Sequence, residues 1–104
     1  MTKCLEILPA SPGSSYPREF DYSGLLAAGD RLTEIVSVEQ LEVSPEDAPA
    51  AQVAEIAYAQ NFKGVVAKIT VPADAAPGTI YTFRAIVKTL MGGEEPLEGV
   101  LQVI

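Results

Sequence analysis

Residues 64–89 read GVVAKITVPADAAPGTIYTFRAIVKT, and their apolar residues recur with a period of two. Val65, Ala67, Ile69 and Val71 alternate with Gly64, Val66, Lys68 and Thr70 until Pro72 ends the run. Tyr81, Phe83, Ala85 and Val87 then alternate with Thr82, Arg84, Ile86 and Lys88. Successive side chains of an extended chain point to opposite faces, so this pattern predicts two strands that each lay one face on a core. After the MGGEEP turn, Leu97, Leu101 and Val103 alternate with Glu98, Val100 and Gln102, which predicts a closing hairpin.

Upstream, Leu32, Glu34, Val36 and Val38 alternate with Thr33, Ile35 and Ser37 before the apolar phase moves to Leu41 and Val43. A phase change of one residue predicts one long, bent strand with a β-bulge at Glu39-Gln40. EFDYS reads as a short strand, and GLLAAGDRL as a helical or 3₁₀ turn bounded by glycines. Ser44-Pro45-Glu46-Asp47 has the form of a helix start, with a capping serine and proline at the first helical position, but Pro49 interrupts it. Over residues 48–60 a helix would gather Val53, Ile56, Ala57 and Gln60 on one face, whereas a strand would alternate Ile56 and Tyr58 with Glu55 and Ala57. A short lone helix needs packing to survive, so a strand is expected.

Six or seven strands separated by proline and glycine turns predict an all-β, Ig-like, two-sheet antiparallel β-sandwich. Tyr81, three residues after Gly78 at the opening of a late strand, has the place of a tyrosine corner, with its ring in the core and its hydroxyl bonded to an upstream backbone group. Residues 9–17, PASPGSSYP, hold three of the eight prolines and resist both helix and central strand. Residues 1–19 are therefore expected as an extended N-terminal arm and 20–104 as the sandwich. The apolar piece of the arm, Cys4 to Leu8, could pair with its own domain or with a neighbour's sheet edge.

At 104 residues the chain suits one domain with one core. Fourteen acids against seven bases give a formal charge of −7, and no base lies between Arg31 and Lys63. This balance repels phosphate, so neither nucleic-acid binding nor a basic patch is expected. Glu34, Glu39, Glu42, Glu46, Asp47 and Glu55 read as a solvated face. No apolar run approaches a membrane span. The patch from Leu5 to Leu8 is interrupted by Glu6 and Pro9, unlike the apolar stretch of a signal peptide.

The chain has no histidine and one cysteine, Cys4. The commonest general base, the usual triad and the likeliest transition-metal ligand are missing together, and Cys4 can form no disulfide within the chain. Glu46-Asp47 and Glu94-Glu95 are paired carboxylates expected in turns, where solvent keeps them from splitting their pKa values as catalysis requires. Gly92-Gly93 is a turn followed by acids and not a phosphate loop. No enzyme activity, cofactor or metal site is expected.

The runs FDYSGLLAAGDRLTEIVSVEQLEV and GVVAKITVPADAAPGTIYTFRAIVKT, with the closing LQVI, resemble the phage fibre-tail adaptor family of small virion proteins. The resemblance rests on Asp21, Tyr22, Gly29 and Asp30, then on Gly78 and Tyr81, and the family's frequent tryptophans have no counterpart here. It implies a structural protein made in the host cytoplasm and built into a virion at the tail, neck or fibre attachment, in several symmetric copies contacting other virion proteins. Leu5, Ile7 and Tyr16 of the arm and Met91, Gly92, Gly93, Glu94 and Glu95 of the hairpin tip are the expected interface. The alternative is a capsid-decorating or carbohydrate-binding Ig-like module, for which exposed aromatic side chains would be needed.

Overall fold

The structure is a computed structural model that describes residues 3–59 and 62–104, with side chains from residue 7 onward. Among the described residues seven strands follow one another: β1 (Lys3–Ala10), β2 (Ser15–Asp21), β3 (Leu32–Ser44), β4 (Gln52–Tyr58), β5 (Gly64–Thr70), β6 (Ile80–Thr89) and β7 (Glu94–Val103). They form a four-stranded sheet in the order β1-β7-β6-β3 and a three-stranded sheet in the order β2-β5-β4. All pairings are antiparallel except β1 on β7. Only β4–β5 and β6–β7 are hairpins, and the other four connections pass from one sheet to the other. Two sheets exchanging the chain in this way make a two-sheet β-sandwich.

Period two is the reason the sheets close on each other. On β6, Tyr81, Phe83, Ala85 and Val87 are fully buried; on β5, Val65, Ala67 and Ile69 face them. Ala10, Phe20, Tyr22, Leu32, Val38, Val71, Ala75, Leu97, Leu101 and Val103 join them in the core. Burying each large apolar side chain contributes about 1.5–3 kcal/mol, which offsets the entropy of ordering the strands. On the outer face of the larger sheet, Arg84 and Glu98 pair at 3.1 Å.

The stretch expected as an arm is built into the sandwich. Lys3–Ala10 pairs in parallel with β7, and Ser15–Asp21 pairs with β5, so each is an edge strand of its own domain and no boundary falls at residue 19. Proline and serine between them make a tight turn in which the Ser14 amide donates to Ser11 O at 3.1 Å. β3 is the long strand the phase change predicts, with the irregularity at Gln40/Glu42 beside the expected position and two more at Leu32/Glu34 and Ile35/Ser37. Residues 52–58 are a strand, and Pro45 to Ala48 form a turn in which the Ala48 amide donates to Pro45 O at 3.0 Å. The six acids from Glu34 to Glu55 are all exposed.

Each of the four sheet edges carries a feature that disrupts further pairing. β1 shifts register between Cys4 and Ile7, β2 contains Pro17, β3 has its three irregularities, and β4 is broken where Glu55 takes a φ of 51°. Unbroken edges would template association with other chains.

Candidate interaction surface

The strand register gathers three connections at one end of the sandwich. Asp21 at the end of β2 faces Gly64 at the start of β5, and Tyr58 at the end of β4 faces Val65. Leu32 at the start of β3 faces Thr89 at the end of β6, and Lys88 faces Glu94. Among the described residues, 22–31, 59, 62–63 and 90–93 therefore share this end, and 11–14, 45–51 and 71–79 share the other.

Tyr22 anchors the first connection. Its ring is fully buried and its hydroxyl donates to Ala85 O at 2.9 Å, with Glu95 O also at 3.2 Å. Burial pushes the phenol well above its ordinary pKa of 10, and the charge of Glu95 adds to the shift. The Tyr22 amide donates to Lys63 O at 2.9 Å, tying this connection to the β4–β5 hairpin. The Ser23 amide donates to Asp21 Oδ1 at 2.9 Å, and hydrogen bonds from Ser23 hold the Asp21 carboxyl below its ordinary range. Leu25 and Leu26, half-buried, pack on the core as the chain turns.

Asp30 anchors the end of the same connection and the neighbouring hairpin at once. It is buried, and its Oδ1 accepts the Arg31 amide and the Met91 amide, both at 2.9 Å. The preceding Gly29 has a φ of 81°, a left-handed conformation that a side chain at this position would strain. The Leu90 amide donates to Arg31 O at 2.9 Å, and Thr89 Oγ1 accepts the Gly92 amide at 2.9 Å. The hairpin turn is thus fixed from three sides.

That fixed turn carries large apolar groups into solvent: Leu90 is 56% exposed and Met91 64%. On the neighbouring hairpin Phe62 is 47% exposed, and its ring lies 5.0 Å from that of Tyr58. Phe62 has a φ of 55°, a strained conformation for a bulky residue and one found more often where function requires it. Asp21, Arg31, Lys63, Glu94 and Glu95 are exposed around the same end. Apolar anchors with a polar surround are the composition of a protein-binding patch.

Of the residues expected at an interface, Met91, Gly92 and Gly93 lie in this turn. Glu94 and Glu95 do not: they open β7, because the pairing with Lys88 and Val87 extends the strand past the predicted turn. Ile7, 59% exposed, and Tyr16, 58% exposed, lie on β1 and β2 along the side of the sandwich. The Arg18 guanidinium stands 5.7 Å from the Tyr16 ring centre. The side chain of Leu5 lies outside the described residues. The Tyr81 ring is buried and its hydroxyl donates to Pro49 O at 2.7 Å, 32 residues upstream. The buried ring and the bond to an upstream backbone group are the two features expected of Tyr81; the acceptor lies in the β3–β4 connection at the opposite end, further upstream than the few residues usual for a tyrosine corner. Sequence reasoning missed Asp30 as an anchor and Leu90 and Phe62 as exposed groups. An acid between a glycine and an arginine reads as an ordinary turn, and only its place two residues before a strand hints at an anchor.

Among the described residues no group of three or more His, Cys, Asp or Glu side chains could hold a metal ion. Between the sheets an apolar cavity of about 30 Å³, lined by Leu8, Phe20, Ile69, Phe83 and Leu101 among others, is of the size of one water molecule or methyl group. A wider cleft of about 390 Å³ at the opposite end is lined by Gly13, Pro49, Gln52 and Val71 and their neighbours, with no titratable side chain. Compared with protein-family models, curated proteins and solved structures, the chain gives no match.

Proposed function

We propose that the protein is a non-enzymatic binding module that joins other proteins through the end of the sandwich that holds residues 22–31, 62–63 and 90–93. The observation that carries this reading is a turn fixed by Asp30 and Thr89 that presents Leu90 and Met91 to solvent. A rigid turn loses little entropy on binding, so two exposed apolar anchors on it are worth more than the same groups on a mobile loop. Phe62, held in a strained conformation on the next hairpin, supports the same end.

The resemblance to fibre-tail adaptors makes this reading specific: a virion structural protein at the tail, neck or fibre attachment, contacting other virion proteins from a symmetric set of copies. The test is whether the chain is present in particles purified from cells that carry its gene, and whether its removal yields particles lacking the tail, neck or fibre component. Particles of unchanged composition without the chain would contradict the virion role. Binding of the isolated chain to a non-virion protein through Leu90 and Met91 would keep the binding module and discard the adaptor.

A further inference from the structure

We propose that β1 is an exchangeable strand, able to leave the edge of its own β7 and occupy the same seat on a second copy of this chain. The partner is therefore an identical chain, and the contact surface is the β7 edge from Leu97 to Val103. The inference goes beyond the loop-end reading and concerns a different part of the molecule.

Three observations carry it. First, β1 pairs with one strand only, and it does so in parallel, the slightly weaker arrangement, with the register broken between Cys4 and Ile7. Second, among its described side chains the inward contribution is small: Ala10 is buried and Leu8 half-buried, while Ile7 and Pro9 face solvent. Third, four residues, Ser11 to Ser14, join β1 to β2 across the two sheets. This hinge is bent by a φ of 78° at Gly13, whose amide donates to Val71 O at 3.0 Å. Short hinges invite strand exchange, because extending them relieves the bend and sends the strand to a neighbour.

The seat itself does not distinguish copies. Leu8 meets Leu101 and Ala10 meets Val103 in whichever chain supplies β7, and the Ala10 carbonyl accepts the Ile104 amide at 3.0 Å in the closed form. Closed and exchanged forms differ only in the hinge and in concentration. A short tether supplies an effective concentration on the order of mM, so dilute chains stay closed and chains held side by side exchange.

The experiment uses two full-length variants in a Cys4→Ser background, one carrying Ile7→Cys and the other Val100→Cys, with tags of different mass. These positions face each other in the β1–β7 register. The variants are mixed over a range of concentrations under oxidising conditions and analysed by intact mass. The expected result is a disulfide between the two chains whose share rises with concentration. Adding Gly13→Val, which strains the closed bend and not an extended hinge, should raise that share several-fold. A mixture of Tyr16→Cys, equally exposed, with Val100→Cys should stay unlinked. The double variant Ile7→Cys/Val100→Cys should close within one chain when dilute. Separate variants that stay unlinked at every concentration while the double variant closes would overturn the proposal. So would a double variant that fails to close, since the register would then be wrong.

Discussion

The Asp30 carboxylate accepts the Met91 amide at 2.9 Å, linking the start of β3 to the β6–β7 turn across 61 residues of sequence. The same oxygen accepts the Arg31 amide at 2.9 Å, so one buried side chain satisfies two backbone donors in two segments. Leaving a buried donor unpaired costs about 1–3 kcal/mol. The Arg31 and Met91 amides are part-buried and water can reach them once the carboxylate is gone, so Asp30→Ala is expected to lower unfolding free energy by roughly 1–3 kcal/mol for the two donors together. Asp30→Asn, which keeps one acceptor oxygen, should cost less. Denaturant titration gives the magnitude, and hydrogen exchange should show faster exchange at the Met91 amide first. Unchanged protection there in Asp30→Ala would remove the carboxylate from its anchoring role.

Alkaline pH should destabilise the fold through Tyr22 and Tyr81. Burial raises both phenols above their ordinary value of 10, with the charges of Glu95 and Asp74 adding to the respective shifts. A folded-state pKa above the unfolded one means the unfolded chain loses its proton first. Stability is then full below pH 10 and falls as pH rises from there towards the folded pKa, by up to about 1.4 kcal/mol per pH unit for each group. Tyr22→Phe should cost about 1 kcal/mol at neutral pH, from the lost hydrogen bond, and should flatten the alkaline slope. Denaturant midpoints measured from neutral to alkaline pH check both, and an unaltered slope in Tyr22→Phe would mean that its phenol ionises freely.

The two faces of β6 should respond differently to truncation. Phe83 is buried against the second sheet, and Phe83→Ala is expected to cost about 3–5 kcal/mol through lost burial and the cavity left behind. Lys88, exposed on the other face, should tolerate alanine within about 0.5 kcal/mol. Thermal or denaturant unfolding of the two variants measures the contrast. Equal effects would contradict the inward register of Tyr81, Phe83, Ala85 and Val87.

What could be read in advance follows from how local the signal is. β5, β6 and β7 bury one face each, so alternation alone marks them, and the phase slip at Leu41 marks the bend in β3. β4 is ambiguous in sequence because it is an exposed edge: Val53 is half-buried while Ala54 to Tyr58 are exposed, so no face is selected strongly. β1 escapes because its pairing with β7 joins the two ends of the chain, and a proline-rich turn beside it suggests an arm. The anchors of the loop end are polar contacts between distant segments, Tyr22 to Ala85 and Asp30 to Met91, and no residue spacing encodes them. Met91, Gly92 and Gly93 are legible as a turn, but the two glutamates after them are already in β7 because Lys88 and Val87 offer them partners.

The most direct measurement compares how much protein enters purified particles when apolar groups are removed from either end of the sandwich. Leu90→Ser/Met91→Ser changes the fixed turn, and Ile104→Ser, at a residue 67% exposed at the opposite end, is the control. The expected result is a loss of at least tenfold for the first variant with its folding intact, and little change for the second. Equal incorporation of both variants would contradict the assignment of the loop end as the surface through which this protein binds its partners.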